Sequence, residues 1–209
     1  MRSTAWLLLL ASGCATLPAA APTGGSIYHY VRSNRDGSEP EHVVQYRPTR
    51  TQIAVYKWVE KCTTAAYVTA DMDGNLREGR RFIAGKVASD GSQATFGTLT
   101  LDPATSTLAV EVTPPGAPGP LSERMPLPAR PYLLYDFDFA DLNSFLQEHR
   151  PRANFAFELP VIWPGAGPSL FRQYGRLDAR YAGEEGHLGR RTARFDLRVI
   201  GPNPSTGTL

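Results

Sequence analysis

The chain has 209 residues, 42% of them hydrophobic, and a formal net charge of +2 from 22 basic and 20 acidic residues. This near balance leaves no large excess of positive charge, so nothing in the composition points to nucleic acid as a partner. With an N-terminal leader set aside, about 185 residues are left, a length that suits one domain, residues 26–209.

Residues 1–14 have the organisation of an export signal. Arg2 supplies the positive charge, an apolar run extends from Ala5 to Ala11, and small residues precede Cys14. The run is far shorter than the roughly 20 apolar residues that a membrane-spanning helix needs. The sequence therefore predicts a signal peptide instead of a transmembrane segment.

The end of this leader, Ser12-Gly13-Cys14, resembles the lipobox of bacterial lipoproteins. The resemblance implies that Cys14 carries a diacylglyceryl group and palmitate-type acyl chains, which anchor the protein to a membrane. It also implies outer-membrane delivery facing the periplasm, because Ala15 stands where an aspartate favours inner-membrane retention. Residues 15–25 then form a tether. Two alternatives stay open: cleavage within 19–21, which releases a soluble periplasmic or secreted protein, and a leader cysteine without a role.

Cys14 and Cys62 are the only cysteines in the sequence. If Cys14 is lipidated, no intramolecular disulfide is available and the fold depends on its hydrophobic core. Cys62 lacks the sequence surroundings of a cysteine hydrolase, so we expect it to pack as a small apolar residue.

Alternation of apolar and polar residues with period two predicts strands along most of the chain. In chain order these strands cover 26–32, 42–48, 51–59, 65–72 and 80–88, with an Asp-Gly turn expected at 71–75. A hairpin follows, in which Leu99 and Leu101 lead through a turn at 102–105 into Leu108, Val110 and Val112. Short connections between the strands favour an antiparallel up-and-down meander.

A proline- and glycine-rich connection, 114–131, precedes an expected strand at 131–137 and then the only predicted helix. Asp138 is the expected cap of this helix, with Asp141 three residues later and Pro151 beyond its end. Its apolar residues recur at helical spacing: Phe139, Leu142, Phe145 and Leu146.

The next strand, 154–163, places a row of apolar side chains on one face, namely Phe155, Phe157, Leu159, Val161 and Trp163. Helix and strand together give the candidate ligand-binding residues Phe139, Leu142, Phe145, Phe155, Phe157 and Trp163. One interpretation is that these residues form only the core. The other is that a curved sheet leaves space beneath the helix for an acyl chain or another apolar ligand.

A final hairpin is predicted from alternation in 171–181 and 190–199, joined by a turn at Gly183–Gly186 that includes Glu184 and Glu185. Arginines alternate on the polar face of both strands. Because Asp178 and Asp196 lie among them as cross-strand partners, we expect a solvated outer face and not an anion-binding patch.

No catalytic constellation is found in the sequence. The four histidines are scattered, and neither a zinc-binding motif nor a Gly-x-Ser-x-Gly nucleophile motif occurs. We therefore expect no enzyme, no metal and no cofactor.

The lipobox-like leader, the long meander and the helix inserted before a final hairpin resemble the periplasmic half-barrel proteins related to the lipoprotein carriers LolA and LolB. The stretch from Tyr174 to Gly201, followed by Gly207-Thr208-Leu209, is similar to related envelope proteins that continue with another strand. The resemblance implies a mainly β fold, an open half-barrel covered by one helix, and a lipid or lipoprotein ligand. The alternative function is a non-catalytic interaction or scaffold part of an envelope complex.

Overall fold

The structure, a computed structural model, describes residues 25–34, 36–59, 64–114, 118–162, 169–187, 189–202 and 204–209. Cys14, Cys62 and Trp163 lie outside these residues, and so do the leader and most of the tether. Within the described residues, no helix combines the length and the hydropathy needed to cross a membrane.

The first eight strands form one antiparallel sheet in chain order. Their bounds are β1 Ser26–Arg32, β2 Glu41–Arg47, β3 Gln52–Val59, β4 Thr64–Met72, β5 Gly79–Ala88, β6 Gln93–Asp102, β7 Thr107–Val112 and β8 Leu121–Pro126. Because β1 and β8 are the two edges and do not pair, this large sheet stays open.

The last four strands form a second antiparallel sheet, in the order β12-β11-β10-β9. Their bounds are β9 Phe155–Ile162, β10 Phe171–His187, β11 Arg190–Ile200 and β12 Ser205–Thr208. Between the two sheets lie a 3₁₀ turn, Tyr135–Phe137, and the helix α1, Ala140–His149. The predicted fold class, mainly β with an open antiparallel meander and one helix, is confirmed, although the meander is divided between two sheets.

The expected strand at 131–137 is wrong. Only Tyr132 makes a β-bridge, to Glu158, and the segment then turns into the 3₁₀ helix. The physical reason is that it passes between two cores: Tyr132 and Leu134 pack with the large sheet, whereas Leu133 packs with the small sheet and α1. All three side chains are at most 2% exposed, so neither side of the segment faces solvent.

Three further expectations are corrected. The connection 114–131 contains a strand, β8, which pairs with β7. Residues 183–186 do not form a turn but continue β10 to His187, and Glu184 and Glu185 pair with arginines in β11. Asp138 does not cap α1, because its backbone is left-handed and its carboxylate pairs with Arg32 and Lys57 instead.

The helix α1 is fixed to the large sheet by one buried and one exposed polar contact. Gln45 donates from Nε2 to Ser144 Oγ at 3.0 Å, and Arg50 Nη2 donates to Glu148 Oε1 at 3.0 Å. On its other side the helix packs against the small sheet through Leu142 and Phe145. The helix is thus a shared component of both layers.

A close approach of two backbones fixes the end of the small sheet. At Gly175 the backbone has φ +143°, and a Cβ placed there would lie 2.3 Å from Ile200 O. A side chain would therefore force β10 and β11 apart at this point.

We expect Gly175→Ala to destabilise the protein by about 1–3 kcal/mol, because the substitution combines an unfavourable φ with a backbone clash. Urea unfolding followed by circular dichroism measures this change. Gly186→Ala, in the same strand, is the matched control, since no atom lies within 4 Å of the Cβ it would add. Equal stability of the two variants would contradict the interpretation.

Candidate functional site

The structure brings three of the predicted ligand-binding aromatics into mutual contact. The Phe145 ring meets Phe155 and Phe157 edge to face, with centroids 5.3 and 5.2 Å apart. Phe157 is 1% exposed and Phe145 6%. These rings therefore fill the space between α1 and β9, and an edge-to-face arrangement stabilises them there.

Phe139 and Leu142 lie instead at a cleft of about 500 Å³ between the edge of the large sheet, α1 and the small sheet. Its other apolar walls include Tyr30 of β1, Val43 of β2 and Leu197 of β11. Trp163, the sixth predicted ligand-binding residue, lies outside the described residues, as does the predicted lipid-attachment residue Cys14.

A second cavity, of about 250 Å³, lies on the concave face of the large sheet. It is closed on the other side by Leu134, Asp136 and Ile162, which belong to the segment before α1 and to the end of β9. Most of its sheet-side walls are apolar, and its large side chains are Val68, Phe82, Phe96, Leu99, Val110 and Val112.

Sequence reasoning missed this cavity because it depends on small residues in neighbouring strands. Val68, Ala84, Gly97 and Val112 are aligned across β4 to β7 by the strand register. The two central residues of this row have little or no side chain, so the sheet surface is recessed there. The feature that could have revealed it is an alanine and a glycine at inward-facing positions of neighbouring strands. The sequence does not show that these two residues are neighbours until the strand register is known.

Lys57 and Asp136 are the charged residues among those that line the cavity in the described part of the chain. Asp136 accepts a hydrogen bond at Oδ2 from Ile162 N at 2.8 Å. Burial raises the pKa of Asp136, although this hydrogen bond and the positive charge of Lys57 act in the opposite direction. The cavity is therefore apolar along its walls and polar at one end.

An ion pair joins a residue of the cavity wall to a residue of the cleft wall. Lys57, which lines the cavity, places Nζ 3.0 Å from Oδ2 of Asp138, which lines the cleft. Oδ1 of Asp138 also pairs with Arg32 at 2.5 Å. The Asp138 side chain is 8% exposed, so its two cationic partners compensate a nearly buried charge.

Asp141 is also buried, but it lines neither space. Its two carboxylate oxygens accept hydrogen bonds from the backbone N–H groups of Leu134 and Leu142, each at 2.9 Å. Burial raises the pKa of Asp141 to about 7, against the opposing effect of these two bonds. Asp141 therefore holds the start of α1 to the preceding segment and titrates near neutrality.

Within the described ranges, no group of three or more His, Cys, Asp or Glu residues is placed to hold a metal ion. The residues around the cavity instead form a space with mostly apolar walls and one polar end. Comparisons with family models, with curated proteins and with solved structures find no match to this chain.

The raised pKa of Asp141 predicts a pH-dependent stability. Between pH 3.8, the ordinary pKa, and about 7, the unfolded chain loses the Asp141 proton while the folded protein retains it. We therefore expect the Asp141 contribution to stability to fall as pH rises through this range, by up to about 1.4 kcal/mol per pH unit, and to level off above 7.

Asp141→Asn removes this titration, so its free energy of unfolding should fall less between pH 5 and 7.5 than that of the wild type. Urea unfolding at both pH values measures the difference in slope. An amide also places an N–H group near a backbone N–H, which lowers stability equally at every pH and shifts the curve without changing its slope. Parallel curves for the two proteins would contradict a titrating Asp141.

Proposed function

We propose that this chain is a cell-envelope lipoprotein whose open β half-barrel binds an apolar ligand such as a lipid or an acyl chain. The observation that supports the proposal best is the cavity on the concave face of the large sheet, which is apolar along its walls and polar at one end. Ligand sites in proteins are mostly apolar concavities with a few placed polar groups.

The volumes suit a ligand that occupies both spaces. The cavity, at about 250 Å³, is slightly smaller than the usual range of roughly 300–1,000 Å³ for ligand sites, and the neighbouring cleft adds about 500 Å³. An acyl chain fits the narrow cavity, and a polar head group fits the more open cleft. In this proposal Phe139 and Leu142 contact the ligand, whereas Phe145, Phe155 and Phe157 support the helix that covers it.

The remaining parts of the proposal follow from the leader and from the resemblance to the LolA and LolB half-barrels. Acylated Cys14 holds the protein on the outer membrane facing the periplasm, and residues 15–25 give the domain reach from that surface. The ligand is then a lipid or the acyl chains of a lipoprotein. We propose a binding function without catalysis, cofactor or nucleic acid.

Ala84→Phe tests the cavity directly. The phenylalanine ring fills the recess between Val68 and Gly97, so we expect binding of a dansyl-labelled long-chain fatty acid to weaken by at least about tenfold, equivalent to roughly 1.4 kcal/mol. Dansyl fluorescence measures the affinity. Native mass spectrometry of wild-type protein purified without added lipid should also show a mass that is lost on denaturation.

The matched control is Ala109→Phe, which adds the same ring to β7 of the same sheet. Ala109 lies on the opposite face from Val110, which lines the cavity. Circular dichroism establishes that both variants are folded. Wild-type affinity in Ala84→Phe, or no binding of the fatty acid by the wild-type protein, would overturn the proposal.

The alternative function, a protein-interaction or scaffold role in an envelope complex, is favoured by an exposed apolar surface at the edge of the large sheet. Ile27 and Val31 of β1, which share one face of the strand, are 67% and 59% exposed. Among the described strands β1 pairs with β2 alone, so its other side offers an edge to a partner strand.

If this alternative is correct, a photo-crosslinking amino acid at position 27 should capture one discrete protein in intact cells, and Val31→Asp should abolish the product. The same amino acid at Glu111, an exposed position of β7, is the control and should give no such product. Absence of a product from position 27 would contradict the scaffold role. Cavity binding of the fatty acid is a separate measurement and does not decide this one.

A further inference from the structure

The face of the large sheet opposite the cavity carries two histidines in direct contact. His29 of β1 is paired in register with Val44 of β2, and His42 of β2 is paired with Val31 of β1. The two histidines are therefore diagonal neighbours on one face, within reach of each other. Nε2 of His29 and Nδ1 of His42 are 3.1 Å apart.

Trp58 of β3 covers the side of this histidine pair. It is directly opposite His42 in the register. Its ring lies nearly parallel to both imidazoles, at 5.3 Å and 13° from His42 and at 6.0 Å and 9° from His29. The stacked indole places a fluorescent group beside the two imidazoles.

We propose that His29 and His42 form a binding site for a divalent transition-metal ion, with copper(II) bound most tightly. Imidazole nitrogen is a good ligand for copper, nickel and zinc, and copper(II) stands at the top of the divalent affinity order. At a metal–nitrogen distance of about 2.0–2.1 Å, a nitrogen–nitrogen separation of 3.1 Å corresponds to an angle of about 95–102° at the metal. This angle is close to that of two adjacent ligands in a tetragonal site.

Binding requires a tautomer change and no net loss of a proton. In the structure one imidazole donates its N–H to the other, so one of the two facing nitrogens carries hydrogen. When the metal binds, that ring carries its proton on its other nitrogen, and both facing nitrogens present lone pairs. The two lone pairs must also turn from facing each other to converging on the ion, and the exposed position of His29 on an edge strand allows this ring rotation.

The site is open. Among the described residues, no third His, Cys, Asp or Glu side chain joins the two histidines in a metal-binding group. Water completes the coordination, so the ion exchanges with solvent and does not hold the fold together. The site lies on the outer face and does not depend on the apolar ligand proposed for the cavity.

The test is titration of copper(II) chloride into the purified protein without a histidine tag. We expect one copper ion per chain, quenching of Trp58 fluorescence, and an electron paramagnetic resonance spectrum with nitrogen hyperfine splitting. His29→Ala and His42→Ala should each weaken binding by about tenfold or more, since loss of even an outer-shell partner commonly costs 10–100-fold.

Two controls make the result specific. His187→Ala removes a histidine of β10 in the other sheet and should leave copper affinity unchanged. Trp58→Phe should retain the nitrogen hyperfine signature while the quenching is lost. Circular dichroism establishes that each variant is folded. Absence of stoichiometric copper binding, or equal binding by the wild type and the His29 and His42 variants, would overturn the proposal.

Discussion

The structure depends on one constraint: two open sheets each have an apolar face that must be covered, and a single stretch of chain covers both. Residues 132–137 and the helix α1 supply this cover. Neighbouring side chains of the stretch alternate between the two cores, with Leu133 on one side and Leu134 on the other. The stretch is held at its centre by Asp141, whose carboxylate binds the backbone of Leu134 and Leu142. Removal of this cover would expose both cores at once, so the two sheets are mutually dependent.

The same constraint explains why a cavity exists. A short helix and a 3₁₀ turn are narrower than an eight-stranded sheet, and they pack closely only where large side chains of the sheet reach them. Ala84 and Gly97 are too small to reach the covering segment, so a space is left between the two layers at this point. The side chains that line such a cavity lack the dispersion contacts that they would make in a filled core. The retained space is therefore a cost to stability, which a ligand of matching shape would offset.

The sequence predicts those elements whose pattern is decided locally. Two hairpins, β6–β7 and the arginine-rich β10–β11, each have one solvent-exposed face and one buried face. The alternation of polar and apolar residues therefore locates their strands. It wrongly predicts a strand at 131–137, because Tyr132, Leu133 and Leu134 are all buried, so their polarity does not show which side of the segment faces which core. The role of Asp138 was equally inaccessible, since Arg32 lies 106 residues away and meets it only through the fold. For the same reason, alternation marks Phe157 as inward-facing but does not distinguish a packed side chain from one that lines a cavity.

The strict alternation of a strand also separates the chemistry of the two faces of the large sheet. In β3, Lys57 faces the concave side and ends the apolar cavity, whereas its neighbour Trp58 faces outward and stacks on His42. In β2, Val43 lines the cleft while His42, one residue earlier, belongs to the histidine pair. The side chains of consecutive residues in a strand therefore lie in different environments on opposite faces of the sheet, and they do not contact each other. A substitution on one face therefore acts on the other only through the strand itself. Variants can thus test the two faces independently, provided that the sheet register is preserved.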